Sequence, residues 1–338
     1  MTARQSGLSP GAAAEMLGGV DTSKAVLAAV LPVYLIILAG AVLRKLRVVT
    51  VDQDEPVFRM VFNVLYPCFI LDKILGSESV RNGWSVVWGI GLGFGLTVLG
   101  FAGAWLLAGL LRFQKGGGKR TFTLAAGVQN FGYTAIPVVQ QIWFGAMAML
   151  FVHNLGVELA IWSVGVMILS GEKTIPWRKL VNGPVISVLL GLVLVGSGID
   201  RYLDAGGGNM VGVAIRKAMA WTGAGAFPVA LLITGALVSD LIISERPSLK
   251  VVLSGVVVRL AVLPLMLLAA AKFLPAPVEL KQVLVVQAAM PSAMTPIMLA
   301  KVYGGRPGVA VQIVIATTVV SLVTLPFVIV WGRQWVGL

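Results

Sequence analysis

The chain has 338 residues, 58% of them hydrophobic and 12% charged, with a formal charge of +12. A soluble domain carries about a quarter of its residues as charges, so water is excluded as the main solvent, and the cations form no basic run interleaved with aromatics of the kind a nucleic-acid surface needs. One cysteine, Cys68, and one histidine, His153, exclude a disulfide framework, a multi-cysteine metal site and a paired-histidine zinc arrangement; no metal and no cofactor is expected.

Residues 1–25 read as a polar, small-residue N-terminal segment. The apolar run from Val26 is followed by Arg44, Lys45 and Arg47 instead of a small-residue cleavage site, so it reads as a retained first span. Apolar blocks then fall at 26–46, 57–75, 84–111, 121–143, 145–170, 183–199, 221–243, 249–274, 280–302 and 308–332, against the about 20 residues of helix that a hydrocarbon core requires. The blocks are continuous and not alternating, which implies helices and not a barrel. The expectation is an all-α polytopic membrane protein with ten transmembrane helices. Of the 26 lysines and arginines, the loops after odd-numbered spans hold 14 and the termini and other loops 10. Arg59 and Arg259 lie within spans. That bias favours both termini outside a plasma (inner) membrane.

An internal repeat is visible in the prolines. Pro32 in span 1 matches Pro184 in span 6, Pro67 in span 2 matches Pro228 in span 7, and Pro137 in span 4 matches Pro296 in span 9. Five spans per half would invert the second copy, as in many transporters. The repeats are then 26–170 and 183–338, joined by a short linker at 171–182.

Two segments carry the chemistry. Span 4 reads Gln129-Asn130-Phe131-Gly132-Tyr133-Thr134-Ala135-Ile136-Pro137, and span 9 reads Gln287-Ala288-Ala289-Met290-Pro291-Ser292-Ala293-Met294-Thr295-Pro296. Proline lacks an amide hydrogen and clashes with the carbonyl four residues earlier, which would free the carbonyls of Tyr133, Gln287 and Ser292. Unpaired backbone at membrane depth is tolerated only where protein or a water-filled cavity covers it. Each break is therefore a candidate site lining, with half-helix N-termini facing an anion. Ordinary proline kinks satisfied by neighbouring helices are the bland alternative.

The stretch from Gln287 through Pro291, Pro296, Ala300-Lys301 and Tyr303-Gly304, with Leu325-Pro326 and the Asn130 to Pro137 spacing, resembles the auxin efflux carriers and their bacterial relatives, within the bile acid, arsenite and riboflavin transporter superfamily. The resemblance covers essentially the whole chain. Ala135 stands where many members have glycine, and the Pro137 to Gly145 spacing is one residue longer. The resemblance implies a scaffold of spans 1, 2, 6 and 7 and a transport domain of spans 3–5 and 8–10, with broken helices 4 and 9 crossing beside a small organic anion. It also implies an elevator-type secondary transporter and a homodimer. Substrate-binding candidates are Asn130, Tyr133, Thr134, Pro137, Gln287, Pro291, Ser292, Thr295, Pro296, Asn63, His153 and Asn154, the last three from neighbouring spans.

Glu158 in span 5 and Arg259 in span 8 are the clearest intramembrane charges, each costing about 2.5–3.5 kcal/mol at a helix centre. They read either as an ion pair facing one another or as coupling or gating residues. His153 reads either as a packing histidine or as a proton shuttle, so a coupling ion, H⁺ or Na⁺, stays open. Asn63 would complete the site from the scaffold side or bond a neighbouring helix. Gly89, Gly91, Gly93 and Gly95 lie in an apolar span with no preceding strand, so they read as close helix packing and not as a nucleotide loop. A membrane-embedded enzyme finds no support in these residues. A ligand sensor that keeps the fold without turnover is the other alternative.

Overall fold

The computed structural model describes residues 22–114, 116–132, 134–171, 182–203, 209–242 and 248–338. Tyr133, Lys115, most of the N-terminal segment and most of the linker lie outside the described residues. Every described element is helical, and the one β contact is an isolated bridge.

Helix α1 (Thr22–Lys45) is followed by α2 (Val51–Met60) and α3 (Tyr66–Ile74), which a π-turn over Val61–Leu65 joins. Then come α4 (Gly83–Leu110), α5 (Gly117–Gly127), α6 (Ala135–Ile142), α7 (Met147–Ala160) and α8 (Val166–Ser170). The second half holds α9 (Gly183–Gly196), α10 (Met210–Ala224), α11 (Ala226–Ile242), α12 (Leu249–Val257), α13 (Leu263–Phe273), α14 (Val278–Ala289), α15 (Thr295–Val302) and α16 (Pro307–Val336). Five helical stretches are long and apolar enough to cross a membrane: Gly83–Leu110, Phe144–Ser170, Met210–Asp240, Leu249–Phe273 and Pro307–Val336. Gly183–Gly196 is a shorter apolar helix.

Asparagines start several of these helices. Asn82 accepts from the Trp84 amide, Asn182 from Val185 and Asn209 from Val211, satisfying amides that a helix start leaves without partners. The seventh apolar block, expected from residue 221, is preceded by a full helix, α10, which begins at Met210. Arg216 and Lys217 lower its hydropathy and hide it from an apolar scan.

Packing divides along two sets of contacts. Helix α1 lies on α11, and α3 lies on α9 and α10; α4 lies on α5 and α7, α13 on α14, and α16 on α12, α14 and α5. Glycine makes the closest of these approaches possible. A Cβ on Gly40 would stand 2.0 Å from the Leu232 carbonyl oxygen, and one on Gly235 1.8 Å from that of Ile37, so α1 and α11 touch backbone to backbone. At the α4–α7 contact, a Cβ on Gly93 would stand 2.1 Å from the His153 oxygen and one on Gly156 2.2 Å from that of Ile90. Gly89 also faces α7, at Val152, whereas Gly91 and Gly95 have no neighbour within 4 Å. Half of the glycine run is therefore a packing face.

The loops between helices carry ion pairs. Arg81 meets the fully buried Asp200 at 2.9 Å and the Val195 carbonyl at 3.2 Å. Its guanidinium pKa is raised by the Asp200 carboxylate that accepts its hydrogen bond. Arg44 closes the opposite end of the α1–α11 pair on Asp54 and Asp240.

Candidate functional site: a crossover of two broken helices

The chain leaves helix between α5 and α6 and again between α14 and α15, and the two breaks meet. Asn130 donates its amide to the Pro291 carbonyl at 2.7 Å, and Ala293 donates to the Val128 carbonyl at 3.0 Å. These bonds frame an antiparallel bridge between Gln129 and Ser292. Two segments about 160 residues apart thus share the backbone donors and acceptors that their prolines and extended dihedrals remove from the helix ladders. Pro296 stands in the first turn of α15 and Pro137 is the third residue of α6, positions where the missing amide costs least. These prolines start half-helices and do not kink continuous ones. Neither α6 nor α15 has a side-chain cap at its start, unlike the asparagine-capped α4, α9 and α10, so both positive ends face the junction with no resident acceptor side chain.

Exposure sorts the candidate residues. Asn130, Pro137 and Thr295 are partly open, together with Phe131, Gly132 and Met294. Thr134, Gln287, Pro291, Ser292 and Pro296 are buried. The buried set builds the frame. The Ser292 hydroxyl donates to the Ala125 carbonyl, and its amide donates to Thr317 Oγ1 at 3.1 Å. Asn130 Nδ2 donates to Thr134 Oγ1 at 3.1 Å, which fixes the asparagine over the start of α6. Asn154 donates to the Phe131 carbonyl at 2.9 Å, and Gln287 Nε2 donates to Asn154 Oδ1 at 3.2 Å. Gln287 from α14, Asn154 from α7 and the span 4 break therefore form one network. His153, next to Asn154, is fully buried, with neither ring nitrogen in hydrogen-bond geometry.

Arg259 lies on the π-turn Val258–Val262 and is fully buried. Its Nη2 donates to the Gln287 carbonyl at 3.5 Å, the oxygen that Pro291 leaves without its helical donor. Nε and Nη1 have no partner. Arg259 and Glu158 form no ion pair: the half-buried Glu158 instead accepts from Asn182 Nδ2 at 3.4 Å, at the start of α9. The sequence reading in which these two charges face each other is corrected here. Each finds a partner on a different helix, the arginine a bare carbonyl and the glutamate a cap residue.

Asn63 shares no hydrogen bond with the crossover. It is exposed, donates to the Arg59 carbonyl on its own helix at 2.8 Å, and lines two clefts of about 680 and 420 Å³, the smaller between α3 and α9. The α3 residue near the crossover is Tyr66, whose hydroxyl oxygen lies 3.6 Å from the Cβ position of Gly132. Sequence reasoning passed over it; a hydroxyl-bearing ring one residue before Pro67 was the available signal.

A family model described as membrane transport protein matches residues 25–329, spanning both breaks and every residue of the network. No curated protein matches the sequence.

Proposed function

The chain belongs to the membrane transport protein family, and from that premise we propose that this multi-pass membrane transporter is a secondary carrier of a small organic anion. The crossover carries the reading. Two uncapped half-helix starts, α6 and α15, converge where Asn130 and Thr295 are partly open. Helix N-termini favour negative charge, and a binding site of discontinuous helices at membrane depth is the arrangement expected of a carrier built from repeats.

The ten-span, inverted-repeat reading is supported by an exchange of contacts. Span 1 lies on span 7 (α1 on α11) as span 6 lies on span 2 (α9 on α3), and span 3 lies on span 5 (α4 on α7) as span 8 lies on span 10 (α12 and α13 on α16). Spans 4 and 9 each lie on the preceding span of their own half and on the last span of the other half. In this reading α1–α3 and α9–α11 are the scaffold and α4–α8 and α12–α16 the moving unit. The substrate crosses by an elevator-type step in the inner membrane, with both termini outside and the scaffold pairing two copies. A proton or sodium ion, or the membrane potential alone at about 2.3 kcal/mol per charge per 100 mV, drives it.

The test is flux of radiolabelled indole-3-acetate and small dicarboxylates into proteoliposomes, with potential, sodium gradient and proton gradient imposed one at a time. Saturable flux that Asn130→Ala abolishes supports the reading, and the gradient that accelerates it names the driving force. Saturable binding without flux would identify a sensor, and neither across the panel would overturn the organic-anion assignment.

A further inference from the structure

We infer that the end of the molecule where α4, α5, α12 and α16 meet is a binding site for the headgroup of an anionic phospholipid. Its donors are Arg112, Lys119, Lys250 and Arg306, and no part of the inference depends on what the crossover carries.

The four cations come from four different places in the chain and are drawn to one point. Arg112 ends the turn after α4, with a left-handed φ of 53°. Lys250 Nζ, from the first turn of α12, donates to the Arg112 carbonyl at 3.3 Å and lies 5.1 Å from the centre of the Phe113 ring. Arg306 precedes α16, donates through Nη1 to Gln114 Oε1 at 2.6 Å, and approaches the Cβ position of Gly118 to 3.7 Å. Lys119, in the first turn of α5, places Nζ 4.0 Å from the centre of the Trp105 ring.

Their partners distinguish them from the other cations. Arg44 binds Asp54 and Asp240, Arg59 binds Glu55, Arg81 binds Glu78 and Asp200, and Lys73 and Arg216 share Asp72. Among the described residues, none of Arg112, Lys119, Lys250 and Arg306 has a carboxylate within ion-pair distance; carbonyls, one glutamine and aromatic faces are what they touch. Four positive charges with no internal countercharge attract an external anion and release its counterions.

The surface beside them says which anion. Leu106 and Leu110 on α4 and Leu249 and Leu253 on α12 are exposed, at 66%, 78%, 76% and 61%, immediately next to the cationic end, and Trp105 stands between the two zones as interfacial tryptophans do. A soluble anion would use the cations and leave the leucines bare. A phospholipid uses both, its phosphate on the guanidinium and ammonium groups and its acyl chains along the leucine collar.

The experiment is thermal unfolding of the purified full-length chain in neutral detergent, titrated with short-chain phosphatidylglycerol, short-chain phosphatidylcholine or inorganic phosphate. Phosphatidylglycerol is expected to raise the midpoint by several degrees more than phosphatidylcholine, and inorganic phosphate at equal concentration to leave it unchanged. The difference should shrink as salt is raised and should be lost in the variant combining Arg112→Gln, Lys119→Gln, Lys250→Gln and Arg306→Gln. Should that variant not fold, the four single variants replace it, each expected to lose part of the shift. Equal shifts from the two lipids, an equal shift from inorganic phosphate, or a shift that survives the substitutions would overturn the inference.

Discussion

Replacing Arg259 with glutamine removes one buried charge while keeping a polar donor for the Gln287 carbonyl. The guanidinium stands 3.5 Å from that carbonyl. One helical turn, about 5.4 Å, carries the chain from there to the break, so an anion seated at the crossover lies roughly 9 Å from the charge. At an effective dielectric of about 20, a charge pair at that separation interacts by about 2 kcal/mol, or about 20-fold in affinity. The assay is equilibrium binding of a monovalent organic anion and of its neutral amide to purified protein, for wild type, Arg259→Gln and Arg259→Lys. Arg259→Gln is expected to weaken the anion about 20-fold and leave the amide within about twofold, with Arg259→Lys keeping most of the anion affinity. An equal loss for anion and amide would reduce Arg259 to a backbone prop at Pro291. Unchanged anion affinity in Arg259→Gln would refute the electrostatic argument outright, since a charge without a carboxylate partner in this interior has few other ways to be compensated.

Three further outcomes are expected. Asn130→Ala deletes the side chain that spans from the partly open face of the crossover to Thr134 Oγ1; ligand binding should fall at least about tenfold, the scale of one lost hydrogen bond to a charged group, with the elution profile unchanged. Gly235→Ala places a methyl group 1.8 Å from the Ile37 carbonyl oxygen, so it should cost about 1–3 kcal/mol of stability by overpacking, while Gly91→Ala, with nothing within 4 Å, should leave the unfolding midpoint unchanged or higher. Arg81→Gln leaves the fully buried Asp200 with the Gly76 amide and should lower the midpoint more than Asp200→Asn, because the freed guanidinium of the latter keeps Glu78 and reaches water whereas a buried carboxylate without its cation does not.

The helices were legible because hydrocarbon-length apolar blocks leave little else to form, and they became illegible where charge interrupts the blocks. Helix α10 escaped for that reason: Arg216 and Lys217 sit in its middle, Arg216 donating to the Asp72 carbonyl. The two breaks were legible because proline acts on its own backbone, within four residues. Their roles within the site were not, since role depends on which side of the bridge a side chain falls. Ser292 and Thr134 look as eligible for a ligand as Asn130 and Thr295 in the sequence, yet the bridge turns Ser292 inward onto Ala125 and leaves Asn130 at the opening.

The same reasoning explains why intramembrane charges are poor guides to their own partners. Two opposite charges in apolar spans suggest a pair, but a buried charge needs donors or acceptors more than it needs a countercharge in particular. The breaks supply them. Pro291 strips the Gln287 carbonyl of its donor, and Arg259 occupies that oxygen; the start of α9 presents Asn182, and Glu158 takes its amide. The crossover that an anion would occupy and the buried cation behind it are thus consequences of one residue, Pro291, which opens the helix on one side and gives the guanidinium its anchor on the other. On that account Pro291→Ala, which returns an amide donor to the Gln287 carbonyl, should loosen Arg259 and shift anion affinity in the same direction as Arg259→Gln, and the double variant should be no worse than the single ones.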